Sequence, residues 1–278
     1  MAGPTPGQST RSDDPFRMYA SPVGAGFLQK ANKIFEDFPE YGKNITIKHL
    51  LQHTSGLIDY EDLIPDSATI QVLDNDVLEM MKQLDSTYFE PGSQYKYSNS
   101  AYAVLVKIIE KYSDTTFAQY LEKNIFNPVG MENTIAFESG ISTVKYRAMG
   151  YKNVNGEYIF KDQSITSAVL GDGGIYSSIS DLYKWDQALY TNILISTKTL
   201  NLAFSNGILN NGELIDYGFG WRLQDFEGEK CIYHTGSTSG FRNVLFRVPN
   251  KKLTVIILTN RAEPDIREIA EKIAGLYF

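Results

Sequence analysis

Three short runs set polar side chains at spacings that chemistry can use. Tyr97-Ser98-Asn99 places a phenol and a carboxamide two residues apart, just ahead of the apolar stretch Ala101 to Tyr112. Alone, this run could simply cap a helix. His234-Thr235-Gly236, continued by Ser237-Thr238-Ser239-Gly240-Phe241, lays an imidazole and several hydroxyls along an extended segment. His49 and His53 stand i, i+4 on an expected helix, the spacing of the two zinc ligands in H-E-x-x-H. Position 50 is leucine, so that motif's general-base glutamate is absent and no metal is expected. Gly171, Gly173 and Gly174 lack the Lys-Ser/Thr pair and strand-to-helix frame of a phosphate loop, so they mark a close backbone approach or a tight turn. Cys231 is the only cysteine, which rules out an internal disulfide. It lies in an apolar stretch with nothing local to lower its pKa, and is expected to be a buried structural thiol.

These groups need elements to hold them. Phe27, Ala31, Ile34, Phe35 and Phe38 recur at helical spacing up to Pro39, and Ile45 to His53 forms a second helix with Thr46 as its cap. Val72 to Leu84 carries an apolar stripe. Helices are expected over Ala101 to Tyr112 and over Thr116 to Phe126, the latter ending before Pro128. Asn155-Gly156 between Tyr151 and Phe160 signals a hairpin. Ser178-Ile179-Ser180-Asp181 matches a capping box and opens a helix through Leu182, Trp185 and Leu189. Beyond residue 205, Tyr217 to Leu223, Lys230 to His234, Arg242 to Val248 and Leu253 to Thr259 are expected strands, and a helix along Ile266 to Tyr277 closes the chain.

Composition narrows the function classes. The 278 residues are 42% apolar with 18 Tyr and 15 Phe, enough to fill a core. Net charge is −7 and the basic residues are scattered, which argues against nucleic acid as a partner. No apolar run of ~18 residues occurs, so no helical membrane span is expected. The first 18 residues lack the basic start and apolar stretch of a signal peptide; they are expected to form a disordered tail.

The run Ile45-Thr46-Ile47-Lys48-His49-Leu50-Leu51-Gln52-His53-Thr54-Ser55-Gly56-Leu57 is similar to a signature of class C β-lactamase-like esterases and peptidases. The segment from Pro91-Gly92 through Tyr97-Ser98-Asn99 to Tyr102, the run Gly173-Gly174-Ile175-Tyr176-Ser177 with Asp181, and His234-Thr235-Gly236 resemble further segments of that group, in the same order. The chain thus resembles the serine β-lactamase and penicillin-binding-protein superfamily over roughly residues 35 to 278. The resemblance implies an α/β (α+β) fold, an antiparallel sheet flanked by helices with a mainly helical inserted domain. Residues 40–204 would form the helical part and 205–278 the sheet with its C-terminal helix. Residues 19–39 would be an N-terminal remnant covering a sheet that lacks its N-terminal strands.

The resemblance also implies roles. Tyr97 would be the general base or its relay, and a phenol with an ordinary pKa of about 10 needs nearby cations for that task. Asn99 would bind the substrate's amide carbonyl, and His234 and Thr235 would line the substrate. Ser237 N–H would supply half of the oxyanion hole. Histidine at 234, where β-lactamases carry lysine, points to the esterase and aminopeptidase members. The family nucleophile is a serine with lysine three residues on. That spacing occurs only at Ser93/Lys96 and Ser142/Lys145, neither in a fitting place. Ser21 is the one positional candidate, and Gly24 stands where lysine belongs. The expected activity is therefore that of a serine hydrolase of esters or small peptides, D-amino-acid and peptidoglycan-like substrates included. It acts through an acyl-enzyme, needs no cofactor, and is impaired in this chain. The alternative is a catalytically inactive relative that binds. The family suggests a secreted or periplasmic protein.

Overall fold

A computed structural model describes residues 26–263 and 265–278. The expected tail over 1–18 and Ser21 lie outside the described residues. The fold is mixed α/β: an antiparallel four-stranded sheet with helices on both faces, joined to a helical assembly.

Helix α1 (Ile47–Leu51) begins at Thr46, whose Oγ1 accepts from His49 N–H at 3.2 Å while His49 Nδ1 accepts from Thr46 N–H at 3.3 Å. The capping box here uses an imidazole where Glu or Gln is usual. Helix α2 (Asp74–Gln83) buries Val77, Leu78 and Met81, and α3 (Asn99–Ser113) buries Ala101, Ala103, Val104, Val106 and Ile108. Most of these meet Ile45, Leu50, Leu57 and Tyr60 in one apolar core. Phe27, Ala31, Ile34, Phe35 and Phe38 join that same core. The described part of 19–39 therefore packs into the helices and does not cover the sheet. Its apolar stripe finds apolar partners there, and Phe27 also meets Phe219, with ring centroids 5.0 Å apart.

Helix α4 (Phe117–Leu121) widens into an i→i+5 turn over Glu122–Phe126 and continues through Asn127–Val129, past the expected stop at Pro128. Pro128 cannot donate to that ladder, and the helix ends two residues on at Gly130, φ 71°. Strands β1 (Tyr151–Val154) and β2 (Glu157–Phe160) pair as the expected hairpin, with Asn155 at φ 55° and Gly156 at φ 93°. Helix α5 (Ile179–Ala188) is capped by Ser178, whose Oγ accepts from Asp181 N–H at 3.1 Å. Helix α6 (Thr197–Ala203) follows.

The sheet is a meander of β3 (Arg222–Phe226), β4 (Glu229–Thr238), β5 (Phe241–Val248) and β6 (Leu253–Thr259), ordered β6-β5-β4-β3. The strand expected from Tyr217 starts later. The chain bends through Gly218 and Gly220, the latter at φ 76°, and apart from one bridge between Tyr217 and Arg222 the pairing begins at Arg222. Alternation along β4 sends Cys231 and Tyr233 to one face, where they pack on Ile266, Ala270 and Ala274 of α7 (Ile266–Gly275). Burial pushes the Cys231 thiol up to about 12, so it is no thiolate at neutral pH. Ile232 goes to the other face, against Leu189, Leu200 and Trp221.

That second face also holds a charge pair. Arg247 Nε donates to Asp186 Oδ1 at 2.5 Å, and Thr254 Oγ1 donates to the same oxygen at 2.9 Å. Both charged side chains are fully buried, at 1% and 0% exposure, and they bind α5 to the sheet.

Candidate active site

The pairing of β3 with β4 stops at Tyr233, whereas β4 pairs with β5 from Ile232 to Thr238. Over residues 234–238, one backbone edge of β4 therefore has no strand partner among the described residues. Such an edge offers its N–H and C=O groups to an extended ligand. His234 continues the Ile232 face, toward the helical assembly. Thr235 and Ser237 point to the opposite face and line a cavity of about 460 Å³ with Arg242, Ile266 and Arg267.

Tyr97 faces this edge from the loop before α3, with its ring centroid 6.2 Å from that of His234. Beneath it lies His53, at 4.0 Å between ring centroids and an interplanar angle of 33°. His53 is 1% exposed and sits past the end of α1 at φ 54°, so its ring leaves the helix face that carries His49. The two histidines do not converge. His49 is engaged in the capping box, and His53 turns inward. Among the described residues no group of three or more His, Cys, Asp or Glu could hold a metal ion.

His53 is held at both ring nitrogens. Its Nδ1 accepts from Ser98 N–H at 3.2 Å, and its Nε2 stands 3.1 Å from Tyr217 Oη. The same hydroxyl stands 3.1 Å from His234 Nε2, and His234 Nδ1 is 2.9 Å from the Thr235 carbonyl oxygen. Burial pulls the His53 imidazole down to about 3, with His234 and Arg222 adding to the fall. Burial and the Arg222 cation lower His234 as well. Both rings are thus neutral at pH 7.

Among the described residues the Tyr97 hydroxyl has no hydrogen-bond partner. Burial pushes this phenol up to about 12 and the Asp172 carboxylate adds to the rise, while Arg222, 5.9 Å from the ring, opposes it. One guanidinium does not outweigh desolvation, so Tyr97 is a neutral phenol that needs a further cation to act as a base. Asn99 opens α3. Its N–H donates to Asp59 Oδ2 at 2.8 Å, and its Nδ2 donates to Glu61 Oε1 at 3.1 Å. A carboxylate at a helix N-terminus satisfies an orphan donor and suits the dipole.

The two Ser-x-x-Lys spacings are taken up elsewhere. Lys96 is exposed with its Nζ 3.2 Å from the centroid of the Tyr88 ring, away from Ser93 chemistry. Ser142 Oγ accepts from Glu138 N–H at 3.1 Å in a local turn, and Lys145 is exposed. Three residues of the site escaped sequence reasoning. Tyr217, Arg222 and Asp172 belong to no recognisable spacing. The one sequence signal near Tyr217 and Arg222 is Gly218 and Gly220, where the chain bends inside the expected strand. Tyr217 and Arg222 also line, with Tyr95, Leu209 and Ile215, a cavity of about 470 Å³ beside the end of the open edge. Gly171 is explained by close approach: a Cβ there would stand 2.6 Å from the Tyr102 carbonyl oxygen on α3.

Comparison with known proteins bears on this arrangement. A family model described as "Beta-lactamase" matches residues 11–277. "Penicillin-binding protein 4*" of Bacillus subtilis (strain 168) is 37% identical over 253 residues, 86% of this chain and 56% of that protein. A "D-aminopeptidase" of Brucella anthropi is 25% identical over 238 residues, 83% of this chain and 44% of that one. The chain thus spans about half the length of the curated relatives it matches. Among solved structures, the octameric penicillin-binding protein homologue from Pyrococcus abyssi superposes with TM-score 0.80 at 24% identity, covering 94% of this chain and 62% of its own. The D-amino acid amidase from Ochrobactrum anthropi SV3 gives TM-score 0.77 at 18% identity, covering 93% and 78%. At these identities the structural likeness is one of fold.

Proposed function

The chain belongs to the beta-lactamase family, and from that premise we propose that it carries the cleft of a serine hydrolase acting on an ester or small peptide. D-amino-acid-containing peptides are favoured as the substrate class, through an acyl-enzyme. The observation that carries this reading is the open β4 edge at 234–238 with the Tyr97 phenol facing it. An extended acyl group can pair with such an edge, and a phenol at its side is placed to exchange a proton. The names of the relatives, a penicillin-binding protein and a D-aminopeptidase, agree with that substrate class. Asn99 would meet the substrate amide, exchanging its bond to Glu61 for it.

Acylation requires an activated hydroxyl within hydrogen-bond reach of its base. Neither Ser-x-x-Lys spacing in these 278 residues serves Tyr97, and Ser21 has Gly24 where lysine belongs. The chain itself is expected to bind without forming an acyl-enzyme. The neutral Tyr97 favours this over full activity, and a purely binding relative is the second reading.

Intact-mass measurement after treatment with a fluorophosphonate probe or labelled penicillin tests the proposal. The chain as it stands should keep its mass. The same chain carrying an added family-like N-terminal segment with Ser-x-x-Lys should gain one adduct on that serine. A stoichiometric adduct on Ser21 of the unextended chain would show a rearranged nucleophile instead of an impaired site. No adduct on the extended chain would remove the hydrolase reading.

A further inference from the structure

We propose that His53 and Tyr217 are positioning residues that hold His234 beside the open edge through a hydrogen-bond relay of fixed direction, from His53 Nε2–H to Tyr217 Oη and from Tyr217 O–H to His234 Nε2. Its functional consequence rests on reading the β4 edge as the ligand site. Its geometry does not.

The direction follows from the two backbone groups at the ends. Ser98 N–H can only donate, so His53 Nδ1 is bare. The Thr235 carbonyl can only accept, so His234 Nδ1 carries a hydrogen. A neutral imidazole has one N–H. His53 must then be protonated at Nε2 and His234 bare at Nε2, and Tyr217 accepts from the first and donates to the second at 3.1 Å each. The two histidines hold opposite tautomers. The reverse order would set an N–H of His53 against Ser98 N–H.

The relay joins four stretches of chain that lie far apart in sequence: the His53 run, the Tyr97-Ser98-Asn99 loop, Tyr217 and the start of the open edge. It occupies both ring nitrogens of His234, so at this position a ligand meets the strand backbone, with the imidazole plane locked beside it. It also opposes charging His234. A second N–H on that ring would point at Tyr217 Oη, which already accepts from His53, and the tyrosine hydrogen would lose His234 as its acceptor. Among the described groups facing the relay, Tyr102 alone adjoins the Tyr217 hydroxyl and offers its hydrogen another acceptor. Arg222 of β3 is a cation 5.9 Å from the Tyr217 ring, Tyr95 and Tyr97 of the loop are phenols, and Tyr102 of α3 donates to the Leu51 carbonyl at 2.9 Å.

The test is long-range proton–nitrogen correlation NMR on the full chain labelled with ¹⁵N histidine. The sequence holds only three histidines, so His49→Gln and His234→Gln together assign all three ring signals. At pH 7, His53 should be protonated at Nε2 and His234 at Nδ1. In Tyr217→Phe, the His234 titration midpoint should rise by about one pH unit or more while that of His49 stays in place. A His234 protonated at Nε2, or charged at pH 7, overturns the relay. So does a folded Tyr217→Phe protein in which the His234 midpoint is unmoved. Should that variant not fold, the wild-type tautomer pattern decides alone. None of these readouts depends on hydrolysis or on probe labelling, so this proposal and the proposed function fail separately.

Discussion

Asp186→Ala should cost the fold about 3–5 kcal/mol, the largest stability effect expected of any single change where α5 meets the sheet. Asp186 and Arg247 are both fully buried, and the carboxylate takes hydrogens from Arg247 Nε and Thr254 Oγ1 at once. Removing it orphans a guanidinium whose Nη1 already has no partner. A buried ion pair need not be worth much as a pair, because desolvation offsets its attraction. The orphaned charge is what carries the penalty. Asp186→Leu combined with Arg247→Met should therefore recover most of the loss in urea unfolding. A single variant less than about 1 kcal/mol below wild type would mean that water or a neighbour solvates Arg247.

Tyr97→Phe should slow acylation by about 10²–10⁴-fold in the chain given a Ser-x-x-Lys segment, the range typical of a positioned general base. The ring would keep its contact with His53, so the loss isolates the hydroxyl. The added lysine matters for the same reason. Burial has pushed this phenol up to about 12, and a second cation beside Arg222 pulls it back toward use at neutral pH. His234→Ala should reduce labelling less, because its ring nitrogens are engaged with Tyr217 and the Thr235 carbonyl. Equal rates in wild type and Tyr97→Phe, measured by time-resolved intact mass, would place proton transfer elsewhere.

Much of the scaffold was legible because its signals are local. Thr46, Ser178 and Asn155-Gly156 speak for caps and a turn within four residues, and the strand at Leu253–Thr259 was read to the residue. The candidate site was legible in Tyr97, Asn99 and the 234–237 run only through resemblance. Tyr217 and His53 stand 164 positions apart, and no local pattern announces that meeting. The i, i+4 spacing of His49 and His53 suggested a shared helix face, but α1 ends at Leu51 and His53 takes a positive φ that turns its ring away. A bare sheet face needs cover, which suggests the sheet as the partner of 19–39; in the described part of that stretch, Phe27, Phe35 and Phe38 lie in the helical core instead.

The open edge of β4 beside Tyr97 is the proposed place of ligand binding. Backbone amide shift mapping by NMR tests it on the unextended chain, with a blocked dipeptide of two D-alanines as probe. Saturable shifts are expected at residues 234–238 and at 97–99, with little change at Leu253–Thr259 of β6. Saturable shifts confined to β6 or to α7, or no shifts at millimolar probe, would contradict it.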